Sequence, residues 1–379
     1  MKIISVQGKY AEAIVYTTDN ENTSLDDYAK AQLQLLVDNE AAAGSKIRVM
    51  PDVHPGKVCT IGLTMTVGDR LLPEVVGIDI GCGLTVAKLK KFRPEYQRLD
   101  KVIAENVPAG SCIRTKVHHM AETFDFARLS ADKHINKVRA VRSLGTLGGG
   151  NHMIEIDVDD DKNVYVTIHS GSRHLGKEIT EYYLSEGQKA LKARGVAVPY
   201  ELTWLEGEVM NAYLHDLAIV QEYAALNRQI MIDEICKAMK WKVDDIFSCQ
   251  HNYVDFRPEK PILRKGAISA RKEETVIIPI NMKEGVIIGV GKGNDDWNQS
   301  APHGAGRIMK RIDVANNYTV SDFKRAMKGI YSPSISKDTL DEAPFAYRGM
   351  EEIKEAIRDT VKITKVLRPV YNFKAGRDD

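Results

Sequence analysis

Five short apolar runs, TIGLTMTV, LTVAKLK, NVYVTIH, TVIIPI and VIIGV, constrain this chain more than any other feature. Each is too short for a stable helix and rich in β-branched residues, whose side chains fit a pleated surface better than a helical turn. All five are read as strands. The opening residues alternate like a strand as well. SLDDYAKAQLQLLVDNEAAAG follows with helical spacing of Leu25, Tyr28, Leu33 and Leu36, Ser24 as N-cap and Gly44 as the stop. Two longer helical blocks are expected, from about Lys177 to Arg194 and from about Leu205 to Met239. In the last third, VSDFKRAMKG and MEEIKEAIRD read as short helices and VLRPVYNFK as a final strand. This order predicts a mixed α+β fold and excludes the regular βαβ alternation of Rossmann or barrel enzymes. No repeat, low-complexity tract or Pro/Ser-rich linker divides the chain, so residues 1–379 are read as one large domain.

Composition narrows the function classes. Apolar residues make up 43% and charged residues 28%, which argues for a folded globular protein. No apolar run is long enough to cross a bilayer, and the first residues lack the apolar core of a signal peptide, so a cytoplasmic location without a membrane partner is expected. Five scattered cysteines, an odd number, make a disulfide framework a poor reading and leave metal ligation or nucleophilic chemistry for any cysteine with a role. With 53 Lys and Arg against 52 Asp and Glu, the net charge is +1, so no whole-molecule field attracts nucleic acid. A nucleic-acid partner would have to be held by a local patch, and a monomer is expected.

The residues that carry chemistry lie at strand ends, in strings of small residues. GIDIGCG sets Asp79 and Cys82 three apart among Gly77, Gly81 and Gly83, a carboxylate and a thiolate suited to a divalent transition metal; the structural alternative is a glycine turn around a small buried cysteine. GTLGGGNHMIEI runs three glycines into Asn151 and His152, which suits either a phosphate cradle or a tight hairpin. VTIHSGSRHLG places His169 at a strand end with Arg173 and serines able to hold phosphate oxygens, and SCQHNYVDF supplies His251 beside Asn252. SAPHGAGRIMKR sets His303 among small residues with cations behind it. Singly, each histidine is more often structural than a ligand. Together, if they converge, three imidazoles with Asp79 and Cys82 make a site for one or two Mn²⁺ or Zn²⁺ ions, with the sixth group free for other work.

In this order, the strings PDVHPGK, GIDIGCG, GGGNHMIE, HSGSR, HNY, RKGA, PHGAGR, EAPFAY and YNFKA resemble those of the RtcB family of RNA-splicing and RNA-repair ligases, over about Pro51 to Ala375. The resemblance implies an RtcB-like fold with a central metal-binding cleft. It also implies a GTP- and Mn²⁺-dependent ligase that joins 2′,3′-cyclic phosphate or 3′-phosphate RNA ends to 5′-hydroxyl ends, in RNA repair or tRNA splicing. It makes His303 the guanylylated residue and puts two metal ions on Asp79, Cys82, His152, His169 and His251. It gives Asn151, Glu155, Asn252, Tyr347 and Lys374 to the nucleotide, with Gly304, Ala305, Gly306 and Arg307 around it. Asp52 and Arg173 would support the metal or the RNA end, and an activating protein is a candidate partner.

One segment departs from the family pattern. Where the family carries Pro-Gly-Ser-Met-Gly and a further serine, this chain reads IPINMKEGVIIGV. Asn281 replaces the first serine and retains an amide donor, whereas the second falls near Val286, which has none. The alternative function on this ground is a metal-dependent RNA end-processing phosphoesterase without nucleotide transfer. Basic strings such as KLKKFRPEYQR and MKRIDVANNY, with Lys324, Arg325 and Lys328, are either phosphate contacts or solvated faces.

Overall fold

The computed structural model describes residues 1–17, 25–90 and 93–376. The fold is mixed α+β, built on two large sheets. The first has six strands in the order Lys2–Gln7, Glu12–Thr17, Ile47–His54, Ile61–Thr66, Ile262–Lys265 and Asn252–Asp255. The second has seven, in the order Val243–Gln250, Gly83–Leu89, Val164–Ser170, Met153–Val158, Val361–Phe373, Gly285–Gly291 and Thr275–Asn281. Every pairing in the second sheet is antiparallel. The five apolar runs all form strands.

The antiparallel order positions the site. Along neighbouring antiparallel strands, the start of one lies beside the end of the next. Gly83 therefore pairs with both Gln250 and Ser170, and His169 pairs with Leu84 and Met153. Cys82, His152, His169 and His251 stand at these positions or one residue away, so they gather at one end of the sheet. His251 sits where the chain leaves the second sheet for the first.

The helix Gly207–Met239, 33 residues long, joins the two halves. Its first part, through Ile230, packs in the core beneath the first sheet, and Met231 to Met239 pack under the second. Burial of each such side chain contributes about 1.5–3 kcal/mol, which sustains a helix of this length without an N-terminal side-chain cap. It ends at Lys240 in the left-handed conformation.

Two sequence boundaries shift. The helix expected from about Lys177 begins at Arg173 and runs to Ala193, so Arg173 opens a helix that follows the loop. The first helix covers Asp27–Val37 and is capped by the Asp26 carboxylate, which accepts the Tyr28 and Ala29 N–H groups. Ser24, expected as its cap, lies outside the described residues. Among the described residues, no helix is long and apolar enough to cross a membrane.

Candidate functional site

The expected metal ligands converge. Cys82 Sγ lies 3.3 Å from His169 Nε2 and 3.5 Å from His152 Nε2. His169 Nε2 is 3.3 Å from His251 Nε2, and His152 Nε2 is 3.2 Å from Asp79 Oδ2. The donors form two triads, Asp79–Cys82–His152 and Cys82–His169–His251, with Cys82 common to both. A shared thiolate between two sets of nitrogen and oxygen donors is the chemistry of a paired divalent transition-metal centre.

Second contacts orient these ligands. Leu147 O lies 2.8 Å from His152 Nδ1 and Asn151 O lies 3.2 Å from His169 Nδ1, and these carbonyls orient each ring with Nε2 turned inward. The Ser172 N–H donates to Asp79 Oδ1 at 3.1 Å, in a place where a Cβ on Gly171 would collide with the Asp79 carboxylate. Glycine is required there for close approach. Burial above all holds His169 and His251 well below the ordinary histidine range, so both are neutral. Burial and the nearby Asp79 charge push the Cys82 thiol well up. Against burial, which alone would raise it, the His152 contact holds Asp79 ionised below the usual carboxylate range. His251 Nδ1 is buried without a hydrogen-bond partner. Closely packed neutral imidazoles, a thiol and this orphaned nitrogen fit a bound cation better than a hydrogen-bonded core.

Sequence reading missed what braces these loops. Asn227 and Arg228, fully buried in the long helix, reach across to them. Arg228 donates to Gly81 O and Ser170 O at 2.9 and 2.8 Å; Asn227 accepts from the Gly145 and Thr146 N–H groups and donates to Gly171 O. Two adjacent polar residues inside an apolar helical stretch were the available signal.

His303 lies next to the cluster. Its ring centroid is 4.8 Å from that of His251, and its Nδ1 is 2.7 Å from Asp52 Oδ2. Asp52 is fully buried on the strand Ile47–His54. The contact is best satisfied with the proton on Nδ1, which leaves the Nε2 lone pair free. Fully buried Arg264 holds the preceding strand, Ser300–Pro302, through Ser300 Oγ at 2.9 Å and is itself paired with Asp255 at 2.8 Å. Gly306, at φ +69°, is the second required glycine, because a Cβ there would meet the Asp52 backbone and Arg348.

His303 faces a cleft that encloses about 730 Å³ up to its solvent mouth. Asn151, Glu155, His169, Asn281, Gly304, Ala305, Gly306, Arg307, Tyr347 and Lys374 line it, which unites most of the expected nucleotide residues. Glu342, the first residue of EAPFAY and unassigned by sequence reading, organises one wall. Its carboxylate receives Tyr347 OH at 2.5 Å, Arg311 at 2.6 Å, Lys374 Nζ at 3.2 Å and Arg307 at 3.4 Å. Burial opposes ionisation, but Lys374, Arg311 and Arg307 bring Glu342 down to about 2. Burial and the neighbouring Asp157 push Glu155 well up, and its Oε2 has no partner.

Several residues stand differently from their expected places. Asn252 is outside the cleft lining: its Oδ1 accepts the Gly266 N–H at 2.9 Å, and its amide approaches Asp79 O at 3.4 Å. Asn281 lines the cleft, but its amide donates to Glu284 at 2.7 Å and its Oδ1 caps the following turn. Val286 points into the core and Gly285 takes the wall position, so the missing serine leaves no valine in the cleft. Arg311, in a basic string read as either a phosphate contact or a solvated face, lines the cleft. Gly148, Gly149 and Gly150 form a turn before His152, and a Cβ on Gly148 would strike Arg173 and His152. Arg173 lies on the other side of the metal loop, in a groove with Asp79, His152, Arg139, His174 and Lys177, and its Nε donates to Thr146 Oγ1 at 3.2 Å.

A third donor group, His118, His119 and Asp233, lies apart. His118 Nδ1 accepts the Met120 N–H at 3.2 Å, so Nε2 keeps its proton and donates to Glu234. That ring has no free lone pair for a cation.

The comparisons agree with the geometry. The family model described as tRNA-splicing ligase RtcB matches residues 37–375. The RNA-splicing ligase RtcB of Escherichia coli strain K12 is 31% identical over 368 residues, covering 86% of this chain and 90% of that protein. The tRNA-splicing ligase RtcB of Aeropyrum pernix is 26% identical over 400 residues, covering 81% and 83%. A second Escherichia coli protein, RNA-splicing ligase RtcB2, is 25% identical and spans 97% of this chain and 98% of its own length.

Proposed function

From the premise that this chain belongs to the RtcB family, we propose that it is an RNA ligase that works as one catalytic unit, uses GTP and Mn²⁺, and joins 3′-phosphate or 2′,3′-cyclic phosphate ends to 5′-hydroxyl ends through a histidine–GMP intermediate. The observation that carries the proposal is His303, held by Asp52 at 2.7 Å beside the metal triads and facing the cleft.

The Asp52 contact leaves His303 Nε2 as the nucleophile toward the α-phosphorus of GTP. As the N–P bond forms and pyrophosphate leaves, the ring becomes cationic, and Asp52 stabilises that charge and fixes the ring's orientation, as a buried carboxylate does for a catalytic histidine. Arg307 and Lys374 neutralise phosphate oxygens, and the small side chains of Gly304, Ala305 and Gly306 let the nucleotide approach the backbone. Glu155 and Tyr347 give the base and sugar their polar contacts. Mn²⁺ held by Asp79, Cys82, His152, His169 and His251 would supply Lewis-acid stabilisation of phosphate charge. The GMP then passes from His303 to an RNA 3′-phosphate. Attack by a 5′-hydroxyl forms the phosphodiester and releases GMP.

The test is incubation of the protein with Mn²⁺ and each of the four α-labelled nucleoside triphosphates. A covalent GMP adduct on the wild type, absent in His303→Ala, is expected. Opening of a cyclic phosphate with no adduct and no joined RNA would instead establish the phosphoesterase.

A further inference from the structure

A second groove opens from the cleft that His303 faces. It runs between the N-terminal end of the helix Asp27–Val37 and the segment from Arg307 to Ile312, enclosing about 1880 Å³ up to its solvent mouth. His54, Arg307 and Arg311 line both spaces, so the two are continuous. At their junction, the His54 ring lies 6.5 Å from that of His303. Burial lowers His54 to about 4, so it presents a neutral ring there.

Two features of the groove point to a partner. Lys57 and Lys310 are exposed and have no hydrogen-bond or ion-pair partner among the described residues, whereas Arg307 and Arg311 next to them are paired with Glu342 and Asp341. Beside the lysines stand exposed flat or branched apolar side chains: Tyr28 at 57%, Ile308 at 44% and Ile312 at 71%. The Asp26 carboxylate at the mouth is engaged in capping the helix. Unpaired cations alternating with exposed apolar surfaces suit a single-stranded nucleic acid, whose phosphates meet the cations while its bases stack. The groove near Arg173 is a weaker candidate. Its Lys177 and His174 pair with Glu181 and Glu178, and it does not reach His303.

We infer that this groove is the track along which a single-stranded RNA brings its 3′-phosphate to His303, with Tyr28 stacking a base and Lys57 and Lys310 contacting the backbone. The inference rests on the ligase reading. The 3′-phosphate strand is the one assigned because its terminus must reach the histidine-bound GMP, which the groove meets at His54.

The experiment measures binding of two labelled single-stranded RNA oligonucleotides, one ending in a 3′-phosphate and one with only hydroxyl termini, to the full chain over a range of salt. Adduct formation with GTP and Mn²⁺, a step without RNA, is followed in parallel and reports folding. Tyr28→Ala is expected to weaken binding of the 3′-phosphate strand by roughly 5- to 100-fold, with recovery in Tyr28→Phe. Substituting both lysines by alanine should reduce the slope of log affinity against log salt by about 1.4, since each phosphate contact contributes about 0.7 for a single strand. Unchanged affinity and slope in variants that form the adduct would overturn the inference and leave the ligase intact. Weakening confined to the strand without a phosphate would overturn the assigned end. If the wild type forms no adduct, the ligase reading fails, and the inference fails with it.

Discussion

Two walls of the site, the donor cluster that meets the cleft at His169 and the cationic side of the cleft, hold charge in opposite ways. On the metal wall, Cys82, His152, His169 and His251 crowd their donor atoms together with one carboxylate, Asp79, and His251 Nδ1 has no partner. On the phosphate wall, Arg307, Arg311 and Lys374 already surround the Glu342 carboxylate. One wall gathers donor atoms suited to a cation; on the other, a buried carboxylate already neutralises the cations around it. The contrast teaches that, under the proposed function, metal occupancy would complete the first wall, whereas a nucleotide would have to compete with Glu342 on the second.

The sharpest way to break this contrast lies in the metal wall. Because Cys82 belongs to both triads, Cys82→Ala should abolish retention of both metal equivalents, while His251→Ala or His152→Ala should each spare one. The loss should exceed the roughly 10- to 100-fold typical of outer contacts. Metal analysis of purified, Mn²⁺-loaded protein decides it, and equal losses in all three variants would refute a shared thiolate.

On the phosphate wall, Glu342→Gln should destabilise the nucleotide-free protein by about 3 kcal/mol, since it leaves buried cations uncompensated. It should also tighten GTP binding, so that added nucleotide recovers part of the lost melting temperature. Glu342 titrates near 2 in the folded protein against an ordinary 4.5, a depressed value. Its stabilisation is therefore full above about 4.5 and is lost as pH falls towards 2. The stability gap between wild type and Glu342→Gln should close across that window, as measured by denaturant melts.

The smallest effect is expected behind the metal wall. Asn227→Ala removes the bonds that fix the loops carrying Gly145, Thr146 and Gly171. Metal affinity should fall by roughly 10- to 100-fold with the ligands intact. Calorimetric titration with Mn²⁺ measures it, and unchanged affinity would show that the loops hold their shape unaided.

The walls also differ in how far they could be read from sequence. Cys82, His152, His169 and His251 each sit at the end of an apolar run, among small residues, so local pattern picked them out and antiparallel pairing did the rest. Glu342, Asn227 and Arg228 have no such marking. Their roles come from partners far along the chain, as with Arg228 and Gly81, 147 residues apart. Val286 shows the converse error: alignment to a motif gave it a place in the cleft, but strand alternation turns it into the core and leaves Gly285 at the wall.

By itself, the sequence determined the strand runs, the long helix, the candidate ligands and the family resemblance, because β-branched runs, glycine strings and histidine motifs act over a few residues. Only the tertiary structure decided that Cys82 is common to two triads, that Asp52 orients His303, and that Glu342 sits among Arg307, Arg311 and Lys374. Each of these is a contact between distant segments, and burial makes it count: in a low-dielectric interior, a charge or lone pair must find a partner, and sheet order fixes which partner is within reach.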